Sequence, residues 1–331
     1  MKTTGWIKRT AAFAALAVMT VVMTGCGADW GVLDPKGQVG KQQLDLIIIS
    51  TLLCLVVVVP VLVLTAVIVW RYRMRADSKA KYDPNWSHST KLEAIWWGVP
   101  IVIILALAIV TAIYTYKLEP SKPLEHEAKP ITIQVVSLDW KWLFLYPEQG
   151  IATVGYVQFP EDVPVHFQLT SDAPMNSFWI PRLGGQIYTM SGMAMSLNLI
   201  ADEPGEYMGS GANFSGKDFA KMQFTAKASS QQEFDDWVKG IKSSSSEMTK
   251  VGYDELAKPG VTEEGVSYSA FPQGLFDQIV NKYGEGHEHG GSAENKAEGH
   301  EGHEAQPAAT AENSADSQAA ESQTNHHEHH E

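Results

Sequence analysis

Two long uncharged apolar segments constrain what this chain of 331 residues can fold into. Residues 46–70 lie between Asp45 and Arg71 and contain no charged side chain, and residues 94–116 form a second such segment. A helix of 25 residues is about 38 Å long, whereas the hydrocarbon core of a bilayer is about 30 Å thick. Both segments are therefore predicted to be transmembrane helices, which excludes a single large soluble domain.

The loop between the two spans, residues 71–93, gives the hairpin its orientation. By the positive-inside rule, a loop rich in lysine and arginine lies in the cytoplasm, so both ends of the hairpin, residues 44–117, are expected on the outer face. Cys54 lies in the first span among leucine and valine, and we interpret it as a small buried hydrophobic residue. The basic residues of the loop are Arg71, Arg73, Arg75, Lys79, Lys81 and Lys91, against Asp77 and Asp83.

The amino terminus has the pattern of an export signal. Three basic residues precede an uncharged run over residues 11–24, which is too short to span a bilayer. The run ends in Thr24-Gly25-Cys26, which resembles the lipobox of bacterial lipoproteins. This resemblance implies cleavage of residues 1–25, lipidation of Cys26 and an outer-face segment over residues 26–43. The alternative is an ordinary signal with a chance cysteine.

After the second span the pattern changes from helix to strand. Residues 131–136, 165–169 and 195–199 alternate or run apolar and are separated by turn signals, which is typical of a β-sandwich, predicted here for residues 118–229. His166 alternates with apolar residues and is predicted to lie at the surface. Residues 230–283 are predicted to form a helical arm that packs on the β domain or on another subunit. Its apolar positions are Phe234, Trp237, Val238, Ile241, Leu275, Phe276, Ile279 and Val280.

The last segment, residues 284–331, is predicted to be disordered because it is polar and lacks core-forming residues. Its eleven acidic side chains against Lys296 alone contribute −10 of the net charge of −13. The acidic balance argues against nucleic-acid binding. The histidines of this tail would bind metal loosely or would simply belong to a solvated acidic spacer. They are His287, His289, His300, His303, His326, His327, His329 and His330.

Several motifs, in this order, resemble subunit II of the haem–copper terminal oxidases. The resemblance covers about residues 26–282 and implies a two-helix transmembrane hairpin, an all-β cupredoxin-like sandwich, a short helical carboxy-terminal arm and a disordered tail. The motifs are Asp83-Pro84-Asn85-Trp86-Ser87-His88-Ser89, Lys91-Leu92-Glu93-Ala94-Ile95-Trp96, Ser137-Leu138-Asp139-Trp140-Lys141-Trp142, Tyr146-Pro147-Glu148-Gln149-Gly150 and Asn176-Ser177-Phe178-Trp179-Ile180-Pro181-Arg182-Leu183-Gly184.

Cytochrome c oxidases of this family receive electrons at a dinuclear copper centre, which needs two cysteine thiolates, two histidines and a weak methionine. Alignment with that pattern places Asn176 at the first histidine and either Lys221 or Met222 at the methionine. No cysteine occurs after Cys54, so a cytochrome c oxidase subunit is excluded. The remaining positions of the lost centre are predicted to be Ser210, Phe214 and Asp218.

Loss of the copper centre directs the resemblance to the quinol-oxidase branch. It implies a proton-pumping enzyme of the cytoplasmic membrane that oxidises quinol and reduces oxygen to water, with partner subunits I, III and IV. Haems, the remaining copper and the quinol site would belong to subunit I, and this chain would hold no cofactor. A rival hypothesis is a membrane-anchored copper-handling lipoprotein, which the substituted ligand positions do not favour.

Two further assignments follow from the resemblance. Glu93 lies in the first turn of the second span, where the helix dipole favours an ordinary acidic residue; in the family, the glutamate of this motif marks the entrance of a proton channel. Trp140, Trp142, Phe144 and Tyr146 form an aromatic strand. The corresponding region receives electrons in copper-bearing relatives, but without copper we predict packing in the core or docking on subunit I.

Overall fold

The computed structural model describes residues 31–73, 85, 87–262 and 265–283. Its first part is a pair of helices, α1 (Gln38–Tyr72) and α2 (Thr90–Lys117), which contain the predicted spans. Both are long and apolar enough to cross a membrane, and Pro60 and Pro100 lie inside them. Cys54 is exposed on α1, so the expectation of a cysteine buried within the chain is wrong. The reason is that a two-helix hairpin leaves most of each helix surface to lipid or to other subunits.

The amino-terminal end of α1 packs directly on the β domain. Gly37 and Gly40 are buried there, and the amide of Gly40 donates a hydrogen bond of 2.9 Å to the carbonyl oxygen of Leu183. A Cβ atom on Gly37 would lie 2.2 Å from the carbonyl oxygen of Ile200, so this approach of two backbones requires glycine. Ion pairs flank the contact: Lys36 with Glu203 at 3.0 Å, Lys41 with Asp202 at 2.6 Å and Arg182 with Asp34 at 2.7 Å.

The β domain is a sandwich of two sheets, which confirms the predicted fold class. One sheet has six strands in the order β11-β3-β2-β1-β5-β8, and the other has five in the order β4-β10-β9-β6-β7. The strands are β1 (Ile131–Leu138), β2 (Lys141–Tyr146), β3 (Ile151–Val154), β4 (Tyr156–Pro160), β5 (Val165–Ser171), β6 (Asn176–Trp179), β7 (Ile187–Thr189), β8 (Met195–Leu199), β9 (Gly205–Gly211), β10 (Gln223–Ser229) and β11 (Val266–Tyr268).

Aromatic rings fill the space between the sheets. Trp142, Phe144 and Tyr146 of β2 are completely buried, as predicted for core packing. The ring of Trp142 meets that of Phe178 edge-on at 5.4 Å, and Phe178 stacks on Phe224 at 5.1 Å. Buried aromatic pairs of this geometry add to the stabilisation that burial alone provides.

The arm closes the remaining apolar surface of the sandwich. It consists of α3 (Gln231–Ser244), α4 (Lys250–Leu256), β11 and α5 (Leu275–Lys282). Its partner surface within the described chain is the β domain, because β11 pairs with β3 and α3 packs on the inner core. The outer face of β1, β2 and β3 forms a second apolar cluster with α4 and α5. The sequence analysis did not predict β11, since three residues are too short to show a strand period.

His166 on β5 differs from the simple surface residue that was predicted. Its side chain is half-buried, and its Nδ1 lies 2.9 Å from Oδ1 of Asn198 on β8. The strand alternation correctly places His166 away from the inner core, but the neighbouring strand β8 supplies a polar partner that strand periodicity alone does not reveal.

Candidate functional site

Asn176 begins strand β6 and is buried. Its amide nitrogen Nδ2 donates one hydrogen bond to Sδ of Met222 and another to Oγ of Ser215, each 3.0 Å long. Its Oδ1 accepts a hydrogen bond of 2.8 Å from the amide of Ser177. The position predicted for the first copper-binding histidine therefore lies beside Met222, one of the two residues predicted for the methionine.

The segment between β9 and β10 approaches Asn176 through Gly211 and Ser215. A Cβ atom on Gly211 would lie 2.8 Å from Oδ1 of Asn176. Gly211, Ser215 and Met222 have the spacing of two cysteines and the methionine in the family pattern, with Phe219 at the second histidine. This register lies one residue later than the predicted Ser210, Phe214 and Asp218.

The three residues predicted for this segment have other surroundings. Phe214 is 78% exposed and its ring lies 5.8 Å from that of Phe219. Asp218 forms an ion pair with Lys221 at 3.1 Å. Sequence alone does not show how β9 leads into the loop. The contacts of Gly211 and Ser215 with Asn176 favour a register one residue later.

The residues that meet at Asn176 do not fit a dinuclear copper centre. That centre needs thiolate and imidazole ligands, whereas an amide, a hydroxyl group, a backbone without a side chain and one thioether converge here. Within the described ranges, no group of three or more histidine, cysteine, aspartate or glutamate side chains is arranged to hold a metal ion.

Trp140 connects the same loop to the turn between β1 and β2. Its indole Nε1 donates a hydrogen bond of 3.1 Å to the carbonyl oxygen of Ser215. Its backbone has a positive φ of 63°, and a Cβ atom on Gly216 would lie 3.0 Å from its ring. The Ser215-Gly216 dipeptide is a turn signal that could have indicated this contact, which was not predicted.

Glu93 lies in the first turn of α2, as predicted. Its Oε2 is 3.1 Å from Nε2 of His88, which precedes the helix. Both side chains are partly exposed, Glu93 to 38%. The carboxylate and the imidazole therefore lie side by side at the predicted cytoplasmic end of the second span. The sequence motif contains His88, but it does not show that His88 contacts Glu93.

A second polar cluster, absent from the sequence analysis, is centred on Asp172 at the end of β5. Its side chain is only 1% exposed, and it accepts hydrogen bonds of 2.7 Å from Nζ of Lys282, 2.6 Å from the hydroxyl group of Tyr253 and 2.7 Å from that of Tyr283. Burial opposes ionisation, but these three donors hold the pKa of Asp172 below its usual value. The cluster joins the β domain to α4 and to the end of α5.

The predictions made for residues 1–30 and 284–331 fall outside the described residues. They are the export signal, the lipidation of Cys26 and the disordered or metal-binding state of the histidine-rich tail, and all of them remain predictions.

A pair of apolar helices long enough to cross a membrane, joined to a β-sandwich in which Asn176 contacts Met222, fits the class of subunit II proteins of membrane oxidases. The family model for the COX aromatic rich motif matches residues 242–287, which include most of the arm. The chain is also similar to the periplasmic domain of subunit II of cytochrome oxidase from Bradyrhizobium japonicum, at 20% identity and a TM-score of 0.35, covering 37% of this chain and 98% of that one.

The chain has a higher identity to relatives that it covers over most of their length. The chain is 50% identical over 277 residues to cytochrome bo(3) ubiquinol oxidase subunit 2 of Pseudomonas putida, covering 84% of this chain and 87% of the relative. It is 43% identical to quinol oxidase subunit 2 of Bacillus cereus, covering 73% of this chain and 84% of the relative. The chain belongs to the quinol oxidase subunit 2 family, and it is a subunit of an oxidoreductase complex.

Proposed function

We propose that this chain is the non-haem subunit II of a proton-pumping oxidase that oxidises membrane quinol and reduces oxygen to water. The observation that carries the proposal is the contact between Asn176 and Met222, because it fills the place of a copper centre with groups that do not bind a copper pair. Electrons from a soluble cytochrome would find no acceptor in this domain. A lipid-soluble quinol that reacts at subunit I needs none.

In this proposal the lost copper ligands correspond to Asn176, Gly211, Ser215, Phe219 and Met222. The convergence of Gly211, Ser215 and Met222 on Asn176 supports this register. The haems and the remaining copper would be held by subunit I, and subunits III and IV would complete the complex.

The chain would lie in the bacterial cytoplasmic membrane with its β domain on the outer face. The basic character of residues 71–93 supports this orientation. Lipidation of Cys26 would attach the amino terminus to the same face.

Glu93 would form the proton entrance that this chain contributes to the complex. The neighbouring imidazole of His88 supports this role, because its Nε2 lies within hydrogen-bond distance of the carboxylate and imidazole nitrogens can both donate and accept a proton. In the assembled complex, Glu93→Gln should lower both oxygen-reduction turnover and proton uptake, whereas Glu93→Asp, which keeps a carboxylate, should retain more of both. Glu127→Gln, at an exposed acidic residue after α2, is the control. Wild-type rates in Glu93→Gln would overturn the role.

The electron donor is tested on the purified complex by measuring oxygen uptake with quinol and with reduced cytochrome c. Uptake with quinol alone is expected. Uptake driven by cytochrome c, without quinol, would contradict the proposal. Recovery of the chain without any haem-bearing partner would instead favour the copper-handling lipoprotein.

A further inference from the structure

A polar cavity lies where the outer ends of both spans meet the β domain. We call it the interfacial cavity; it has a volume of about 240 Å³ and is bounded by the first turns of α1, the segment after α2 and the loop before β7. Asn198 of β8 fixes one wall, since its Nδ2 donates hydrogen bonds of 3.1 Å to the carbonyl oxygens of Pro120 and Ser121. The cavity is therefore a built feature of the hairpin–domain junction.

The cavity lies at the depth of lipid headgroups. Gln43, on its lining, is three residues before Leu46, the first residue of the apolar run, or about 4.5 Å along the helix axis. Lys117, also on the lining, directly follows the apolar run of α2. The polar headgroup layer occupies about 5 to 8 Å on each side of the hydrocarbon core, so a molecule in this cavity would have its polar part at the membrane surface.

The lining offers many polar groups that the protein itself does not use. The carboxamide side chains of Gln38, Gln42, Gln43 and Gln186 have no hydrogen bond to another residue in the described part of the chain, and neither Lys122 nor Glu125 has an ion pair there. Among the described residues, Nζ of Lys117 contacts the ring of Tyr114, at 5.8 Å from the ring centroid. These donors and acceptors are available to a ligand.

The charges of the lining identify the chemistry of that ligand. Two cations, Lys117 and Lys122, can donate charge-assisted hydrogen bonds to a phosphodiester. Two carboxylates, Glu119 and Glu125, can accept such bonds from a primary ammonium group. A balanced set of charges selects a zwitterion over a purely anionic group. The apolar side chains of Val39, Leu118 and Leu124 line the same cavity and would contact the beginning of the acyl chains.

We propose that the interfacial cavity binds the phosphoethanolamine headgroup of a phospholipid in the leaflet on the side of the β domain. The lipid would fill the gap between hairpin and sandwich and supply the partners that the glutamine and lysine side chains lack. The proposal depends on the two spans and not on the identity of the electron donor, so it does not depend on the proposed function.

The test is native mass spectrometry of the intact, lipid-depleted complex titrated with phosphatidylethanolamine, phosphatidylcholine or phosphatidylglycerol of the same acyl chains. Phosphatidylethanolamine should bind at least about tenfold more tightly than phosphatidylglycerol, because it alone has an ammonium group that can donate to Glu119 and Glu125, and each charge-assisted hydrogen bond contributes about a factor of ten. Lys117→Gln with Lys122→Gln should weaken the binding of all three lipids, because both lysines contact the phosphodiester that the lipids share. Lys129→Gln, at a lysine away from the cavity lining, is the matched control and should bind as the wild type does.

A second variant keeps the proposal testable if the double variant assembles poorly. Glu125→Gln should reduce the preference for phosphatidylethanolamine over phosphatidylcholine, because the choline group has no N–H to donate. Equal binding of the three lipids would overturn the proposal, as would a segment of another subunit occupying the cavity in the assembled complex. Displacement of the lipid by inorganic phosphate at the same concentration would show an anion site rather than a lipid site.

Discussion

The amide nitrogen of Asn176 lies 3.0 Å from the sulfur of Met222, two residues that are 46 positions apart in the sequence. The contact joins the start of β6 to the residue that precedes β10. In the proposed register, these two residues are the first and last positions of the copper-ligand pattern.

The register of this loop is testable by restoring the ligands. Asn176→His with Gly211→Cys, Ser215→Cys and Phe219→His, keeping Met222, should bind copper and show visible absorption from thiolate–copper bonds. The set Asn176→His, Ser210→Cys, Phe214→Cys and Asp218→His should not, because position 214 faces solvent. Both variants are measured in the full chain after copper addition, with the wild type as control. Absorption in the second set alone would refute the revised register.

Asp172 is expected to hold the end of the arm in place. Asp172→Asn removes the charge that Lys282 and two tyrosine hydroxyl groups contact. The expected loss is about 2 kcal/mol of local stability, or about thirtyfold faster amide exchange in α5. Hydrogen exchange over residues 275–283 is the measurement, and Asp254→Asn, at an exposed residue of α4, is the control. Unchanged exchange in Asp172→Asn would mean that apolar packing alone holds the arm.

The same carboxylate gives the arm a defined pH dependence. Because the folded pKa of Asp172 is lower than the unfolded value of about 3.9, its contribution is fully present above that value. The contribution is lost as the pH falls through the folded pKa. The protection of the α5 amides in the wild type, measured relative to the exchange rate of an unfolded chain at the same pH, should therefore decrease on acidification below about pH 4, and the decrease should be smaller in Asp172→Asn. An equal decrease in both proteins would assign the effect to other groups.

Gly37 is predicted to be required where α1 meets the β domain. A methyl group at this position would lie 2.2 Å from the carbonyl oxygen of Ile200, and a backbone atom does not move aside easily. Gly37→Ala should cost about 1 to 3 kcal/mol of stability. Gly240→Ala, in α3 with open space around it, should be neutral or stabilise by about 0.5 to 1 kcal/mol. Thermal unfolding of the purified complex compares the two variants.

Deletion of residues 284–331 should leave quinol oxidase turnover and the docking of the arm unchanged, because Tyr283, the last described residue, already contacts Asp172. Turnover and copper content of the complex are measured before and after deletion. Lower copper loading after deletion would support metal collection by the tail histidines over a solvated spacer.

The sequence by itself determined the spans, the sandwich and the missing thiolates. Hydrophobic run length shows a transmembrane helix without reference to any partner. For the aromatic strand, core packing or docking on subunit I was predicted, and Trp142 and Phe144 of β2 are buried in the core. The absence of cysteine after Cys54 is a matter of composition alone.

Only the tertiary structure decided which distant residues meet. The Asn176–Met222 contact, the Asp172 cluster and the pairing of β11 with β3 all join segments far apart in the chain, and local patterns contain no information about such distances. The interfacial cavity is of the same kind, because it exists only where the ends of two helices and a sheet come together. The contacts of Gly211 and Ser215 with Asn176, which favour a copper-loop register one residue later than the predicted one, are likewise not visible in the sequence.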